Sequence, residues 1–549
     1  MAESISDPIV DQRLRLKALH NLGIFTDLHP DNRADLHELE QERYAMLEID
    51  GGGFHIFWSL TLLNDMELVA GKGLGLPGDR YPLYKLFDVV TGASAGAITA
   101  ALIGKEYNVP ELEDFWNTTG LKIFYPYSNP LVGITSDLLP HIYLTEFSNI
   151  LRLGYSALIG PLFNKELYRQ TGRRLFGDES MEDLVKASGT GVLLSTTDVS
   201  TGYMDTLGSI PVPGFPDHPA SWLNSRELLV RGIFEAAGSP PTLTQTLGPY
   251  IDAGFGVYDD PTQKMLQSLT GIDGLQFFPI EGIPPGVDRD LYRQALQNKY
   301  FRIQQKYYSD KMLDPNGPFK AAVMSVGTAI SPNEILPTDV AQKQAMPWLV
   351  WLTYYAFNVY ANSDFMQNQF LTDKIKLPWL DVRRYNMSFN AEVLRKTDQL
   401  GAYPESFPKI PGIRSRVTSD VTAAEMYFMV WCQYAPYIPF YQATARSTLR
   451  YMYDVIGKNA GGNPFARGLN MDLANFNPNM YIQDGMSPTY RNYYPARTEI
   501  ESKLKHTLGS PDWIDEQPVD KPLLSYFTPP LPTLIPPFFQ ALPPYPGQH

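Results

Sequence analysis

The chain holds one cysteine, Cys432, among its 549 residues, so no intrachain disulfide can form, and the compartment is left open. It has no uninterrupted apolar run long enough to span a bilayer. Its first residues, MAESISDPIVDQRLRL, lack the apolar centre of a secretion signal, so a cytoplasmic or peripheral-membrane location is expected. It has no H-E-x-x-H pair, no cysteine–histidine cluster and no EF-hand loop, so neither a metal ion nor another cofactor is expected. Positive charge is in deficit: 45 Lys and Arg against 59 Asp and Glu give a net charge of −14. That balance argues against nucleic acid or an anionic lipid surface as a partner recognised through bulk electrostatics, although a local basic patch stays open. Histidine is scarce as well. Eight are present (His20, His29, His37, His55, His141, His218, His506 and His549), and none lies between His218 and His506.

Apolar material is ample. With 44% hydrophobic residues the chain can bury a sizeable core, and its length suits one large domain with an appendage. The organising stretch is Leu86 to Ile98, LFDVVTGASAGAI. An apolar strand turns abruptly at Gly92-Ala93-Ser94-Ala95-Gly96 and continues as small, helix-compatible residues. This is G-x-S-x-G with a strand before and a helix after, the setting that lifts a serine clear of a sheet. Gly92 and Gly96 let the backbone bend and leave room for a substrate carbonyl, and the helix N-terminus behind Ser94 favours developing negative charge. On this motif alone, a plain strand-to-helix turn with a chance serine remains the alternative.

Upstream, Tyr44 to Ile49 reads as a second strand, followed by Asp50-Gly51-Gly52-Gly53. Three glycines in a tight loop expose backbone N–H groups that could cradle a phosphate or form an oxyanion hole. No Gly-Lys-Ser/Thr follows, and no G-x-G-x-x-G with an acidic ribose partner is present, so the oxyanion reading is preferred. A base is then needed. His506 is expected in a polar linker and His549 is the last residue, poor places for one, so a Ser-His-Asp triad is not expected. A carboxylate set against the hydroxyl can accept the proton itself. The candidate is Asp252, in PYIDAG with Gly254 two residues on; Asp273-Gly274 and Asp484-Gly485 have the same local form.

D-G-G-G, then G-x-S-x-G, then D-x-G at these separations resembles the patatin-like phospholipases. Four further stretches extend the similarity to Tyr44 through about Ala402: Phe87 to Thr91, Glu235 to Thr242, Ser325-Val326-Gly327-Thr328, and Trp348 to Phe370 with its Ser363-Asp364. The resemblance implies a three-layer α/β/α sandwich with a mainly parallel central sheet, and a metal-free serine–aspartate dyad. Ser94 would be the nucleophile and Asp252 the base. Gly51, Gly52 and Gly53 would form the oxyanion loop, with Asp50, Gly92, Gly96 and Gly254 supporting the motifs. The implied activity is lipid acyl hydrolysis of phospholipase A or lysophospholipase type, at a membrane surface. A patatin-like scaffold or interaction subunit with little turnover is the alternative. There are departures. His55 and Ile56 stand where the family has arginine and glycine after the triple glycine, which bears on loop shape. The aspartate motif reads D-A-G, and Asp259-Asp260-Pro261 replaces N-N-P. Those two carboxylates would raise the Asp252 pKa by like-charge repulsion if they lay close.

In chain order, 1–43 is expected to be a polar, helical extension, with Arg33 to Arg43 a solvated helix on the domain edge. The catalytic domain would span 44–402. Gly53 to Leu68 reads as a helix whose Phe54, Phe57, Trp58 and Leu60 face the core. Tyr107 to Gly160, rich in aromatics and prolines, is placed either as a wall or lid over the site or as a packing excursion. Phe163 to Lys186 reads as helical, Gly191 to Thr197 and Lys320 to Gly327 as buried strands, and Ile233 to Gly238 as the start of a helix leading to the Asp252 loop. Alternating strands and helices argue a mainly parallel sheet covered on both faces. Trp348 to Tyr360 reads as a buried helix, with an acyl-lining face as the alternative, and Met426 to Tyr453 as two core helices joined at Pro436 and Pro439. Residues 403–521 are expected to form a mostly helical C-terminal appendage. The proline-rich tail 522–549 suits polyproline-type extension, able to bind a protein partner, to dock on an apolar groove of its own chain or to stay disordered, with docking favoured over disorder by its Leu, Ile and Phe content.

Overall fold

The computed structural model describes residues 8–123, 163–200, 203–208, 222–224, 227–241, 243–256, 320–329, 380–386 and 497–519, with isolated positions at 161 and within 261–265, 441–446 and 463–470. The expectations for Trp348 to Tyr360, the Asp273 and Asp484 motifs, Asp259-Asp260, residues 124–160 and the tail 522–549 fall outside the described residues, as does Met426 to Tyr453 apart from isolated positions.

Among the described residues, nine strands form one mixed sheet: β1 Arg43–Ile49, β2 Val89–Ala93, β3 Gly191–Asp198, β4 Tyr203–Gly208, β5 Trp222–Asn224, β6 Tyr250–Asp252, β7 Lys320–Val326, β8 Leu380–Asn386 and β9 Leu469–Asn470. The order is β5-β4-β3-β2-β1-β7-β8-β9, with β6 also paired to β3. The pairings β3–β4 and β3–β6 are antiparallel, and those that run from β3 through β2, β1, β7 and β8 to β9 are parallel. Every residue of β1, β2 and β3 is buried. Successive strand residues point to opposite faces, so a strand buried at every position lies in a sheet covered on both sides. The architecture is an α/β sandwich with flanking helices.

The helix Ile56–Gly71 is apolar nearly all round, and Phe57, Trp58 and Leu60 are buried in it, with Phe54 buried just before it. Each such side chain stabilises the fold by roughly 1.5–3 kcal/mol. The helix Ala95–Gly104 is built of small residues and is buried along its whole length. Two helices, Pro8–Asn21 and Arg33–Glu42, make up the described part of the N-terminal extension, and Leu36 and Leu39 turn the second one inward.

Several boundaries differ from expectation. The strand before the elbow starts at Val89, not Phe87, because the Asp88 carboxylate accepts hydrogen bonds from Arg15 Nη2 at 2.6 Å and from Ala45 N at 2.9 Å. Ile233 to Gly238 closes a helix rather than starting one: the helix runs Val230–Ala237, and Pro240-Pro241 beyond it cannot continue the ladder. Phe163 to Lys186 divides into two helices, Glu166–Phe176 and Met181–Ser188, with Gly177 at φ 54° and a Ser180–Asp183 capping box between them. His506 is not in a linker. It ends the helix Arg497–His506 and is exposed.

The C-terminal part is bound closely to the core. Strand β9 brings residues of the expected appendage into the central sheet. The helix Pro511–Glu516 is held by Arg231 Nη1 on Asp515 Oδ1 at 2.7 Å, and Arg169 Nη1 donates to Gln517 O at 2.5 Å. Leu504, Leu508 and Ile514 are buried beneath that contact.

Candidate active site

Ser94 stands at the carboxyl end of β2, where open parallel sheets place their ligands. It has φ 50° and ψ −122°, a conformation a side-chain-bearing residue adopts only when its surroundings hold it there. The surroundings are close. A Cβ at Gly92 would stand 2.3 Å from Gly96 C, and one at Gly96 would stand 2.0 Å from Ile49 O. Both glycines are therefore required by approach: the turn folds back on itself and the following helix presses against the end of β1. Ser94 is the residue before that helix, and its carbonyl accepts from Ile98 N. The aligned N–H groups at this end favour negative charge beside the hydroxyl.

Asp252 reaches the same point through strand register. Ala93 pairs with Ser195, and the next residue of β3, Thr196, pairs with Asp252 at the end of β6. Thr196 Oγ1 donates to Ile251 O at 2.7 Å, and Asp252 N donates to Ser239 O at 3.1 Å, so the carboxylate is held on both sides. Ser94 Oγ donates to Asp252 Oδ2 at 2.5 Å across 158 residues of sequence. Gly254 N donates to Oδ1 at 2.9 Å.

Asp252 is 2% exposed, and burial pushes its carboxyl up to about 7, against the lowering effect of the Ser94 and Gly254 hydrogen bonds. Among the described groups, desolvation is the largest cause. Glu67 is also pushed up to about 7 by burial, which makes it a useful contrast. It accepts from Leu83 N and Val109 N at 3.3 Å and pairs with Arg80, so it joins loops and meets no nucleophile. Of these two raised carboxyls, only Asp252 is bonded to the elbow serine.

The glycine loop follows β1, the strand beside β2. Gly52 has φ 134° and Gly53 φ 57°, both open to glycine alone at low cost. Two of the residues that hold this loop, Arg384 and Glu48, are not singled out by the sequence. Arg384 on β8 reaches Asp50 with Nη1 on Oδ1 at 2.6 Å and Nη2 on Oδ2. Its Nη1 also donates to Ser325 Oγ at 2.8 Å, and Ser325 Oγ donates to Glu48 Oε2 at 2.5 Å. Thr328 Oγ1 donates to Gly51 O at 2.6 Å. Asp50, Ser325 and Thr328 lie in stretches already legible in the sequence, while Glu48 and Arg384 show there only as charges in strands otherwise suited to burial. His55 is buried, with its ring stacked on Tyr441 at 5.0 Å and 28°. A serine hydroxyl on a strained elbow, a buried carboxyl bonded to it and a nearby loop of amides are the components that acyl transfer requires. Among the described residues no group of three or more His, Cys, Asp or Glu is arranged to hold a metal ion.

Residues 47–224 match the family model described as patatin-like phospholipase. A cGAMP-activated phospholipase of Vibrio cholerae is 26% identical over 226 residues, 40% of this chain and 56% of that protein. A cGAMP-activated phospholipase of Pseudomonas aeruginosa is 24% identical over 326 residues, 52% of this chain and 85% of that protein. A cUMP-AMP-activated phospholipase of Escherichia coli is 42% identical over 67 residues, 12% of this chain and 18% of that protein. The match thus spans about half the length of the Vibrio cholerae relative.

Proposed function

We propose that this chain, whose residues 47–224 belong to the patatin-like phospholipase family, is a lipid acyl hydrolase of phospholipase A or lysophospholipase type that works through Ser94 and Asp252. The observation that carries the reading is the 2.5 Å hydrogen bond from Ser94 Oγ to Asp252 Oδ2 at a strained elbow. Ser94 Oγ attacks the ester carbonyl carbon while its proton passes to Asp252. The carbonyl oxygen takes up the negative charge and is met by amides of the loop Gly51-Gly52-Gly53. Collapse of the tetrahedral intermediate breaks the ester C–O bond, and Asp252 returns the proton to the departing alcohol. Water, deprotonated by Asp252, then attacks the acyl-enzyme, and Ser94 is restored with release of the fatty acid. No histidine and no metal ion enters these steps.

Among the described residues no helix is long and apolar enough to cross a membrane. The proposed substrate is a lipid reached at a membrane surface. Two of the relatives are described as cGAMP-activated, so the activity is to be measured both with and without that nucleotide.

The test uses a serine-reactive fluorophosphonate and a panel of phospholipids, lysophospholipids and neutral glycerides. The wild-type chain should be labelled and should release fatty acid from at least one class, and folded Ser94→Ala should do neither. Loss of the nucleophile of such a unit costs about 10⁴-fold or more. Equal turnover by folded Ser94→Ala overturns the reading. A wild-type chain neither labelled nor active in either condition leaves the scaffold alternative in its place.

A further inference from the structure

The glycine loop is held at its start by two residues far away in sequence. The peptide group between Gly51 and Gly52 is planar and trans, so its C=O and N–H point in opposite directions. Whatever fixes the Gly51 carbonyl therefore also aims the Gly52 N–H. Thr328, just past the end of β7, donates its hydroxyl to Gly51 O at 2.6 Å. The contact is close enough that a Cβ on Gly52 would stand 2.6 Å from that same hydroxyl oxygen. Thr328 is in turn held in place, because its own carbonyl accepts from Tyr441 OH at 2.5 Å.

The other anchor is Asp50, the residue before Gly51. It is gripped by both terminal nitrogens of Arg384, a two-pronged pairing that fixes direction as well as distance. Arg384 lies on β8, with β7 between it and β1, and its Nη1 is also bonded to Ser325 Oγ on β7. Arg384 and Asp50 are 3% and 5% exposed. Burying such a pair is costly in desolvation, so its net contribution to stability is small and its use is better sought in geometry. His55, the first basic residue after the loop, donates its backbone N–H to Gly52 O at 3.0 Å, and its ring is stacked on Tyr441.

We infer that Thr328 and Arg384 are positioning residues that hold the Gly51–Gly52 peptide in one orientation, so that the Gly52 N–H is aimed as an oxyanion donor before substrate arrives. The inference rests on the acyl-hydrolase reading for its purpose, but the orientation can be read without any turnover. Free of the hydroxyl, the peptide can flip about its flanking glycine torsions, which have no side chain to resist it. The donor is then absent for part of the time.

The test compares Thr328→Val, which keeps the shape and loses the hydroxyl, with Thr328→Ser, which keeps the hydroxyl, and with Arg384→Lys, which keeps the charge and loses the fork. Each is confirmed as folded by its melting temperature. With a soluble p-nitrophenyl ester, Thr328→Val should lose about 10- to 100-fold in kcat with KM within about twofold of wild type, short of the full loss of one oxyanion donor. Thr328→Ser should restore kcat to near wild type, and the inflection of the pH profile should not move, because Asp252 is untouched. Arg384→Lys should show the same split in kcat and KM. Hydrogen exchange at the Gly52 and Gly53 amides should be at least about tenfold faster in Thr328→Val at unchanged melting temperature. A folded Thr328→Val with wild-type kcat, or with a kcat loss that Thr328→Ser does not restore, overturns the inference while leaving the hydrolase reading standing. If wild type shows no hydrolysis, the hydrolase reading has failed, and the exchange rates alone decide this one: unchanged rates at Gly52 and Gly53 overturn it.

Discussion

Replacing Asp252 with asparagine should remove hydrolysis and at the same time make the fold more stable above neutral pH. The two effects have one origin. A buried carboxyl prefers to be neutral, and burial moves Asp252 from its ordinary 3.8 up to about 7. The stability contributed by this neutral group is complete below about 3.8 and is lost as pH rises through about 7. Above that, the protein holds an ionised carboxylate in a site with little water, supported by hydrogen bonds from Ser94 and Gly254. A shift of roughly three units at 1.36 kcal/mol per unit sets the whole effect at about 4 kcal/mol, of which about 2–3 kcal/mol falls between pH 5 and pH 8. Asparagine matches the shape, can still accept from Gly254 N, and does not titrate. The measurement is the unfolding free energy of wild type and Asp252→Asn by denaturant at pH 5 and at pH 8, with ester hydrolysis assayed on the same samples. The advantage of the variant should grow by about 2–3 kcal/mol between the two values, while its activity stays about 10⁴-fold down. A difference that stays flat with pH would refute the argument that burial raises this carboxyl. A hydrolytically active Asp252→Asn would refute its role as base.

Four further outcomes are expected. For wild type, kcat/KM should rise with pH and reach half its maximum near 7, the value to which burial raises Asp252, because the base must be ionised to accept the Ser94 proton; a midpoint near 4 would place the carboxyl in water. Gly96→Ala would set a methyl 2.0 Å from Ile49 O, a backbone atom, and should cost about 1–3 kcal/mol or more in stability as well as most of the activity; a variant with wild-type melting temperature and turnover would mean the elbow does not press on β1 as described. Activity should survive excess EDTA, and His506→Ala should hydrolyse like wild type, since His506 is exposed at a helix end; loss of activity in either case would call for a different mechanism.

Much of the site can be read from the chain because its parts are local. A strand, a turn of small residues and a helix within thirteen positions specify the elbow at Ser94, and three successive glycines after Asp50 specify a loop that exposes amides. The alternation of strands and helices specifies the sandwich. The aspartate is legible only as a motif, because the burial that raises its pKa depends on what the assembled sheet packs around it. The Phe87-Asp88 boundary was missed for a similar reason, since nothing local shows that Arg15 and Ala45 N claim that carboxylate.

By itself, the sequence determined which residues could do chemistry, because residue type and short spacing set what a turn can expose. Only the tertiary structure decided which of them meet. The register of β3 against β6 brings Asp252 to 2.5 Å from Ser94. The lateral order β1-β7-β8 carries Arg384 to Asp50, and Thr328 to Gly51, across more than 270 residues. Local pattern encodes which face of a strand is buried, and it does not encode which strand lies alongside. Lateral order follows from how all the strands and their covering helices close around one core. The partners of a buried charge such as Glu48, Asp50 or Arg384 are therefore settled only when the sheet is assembled.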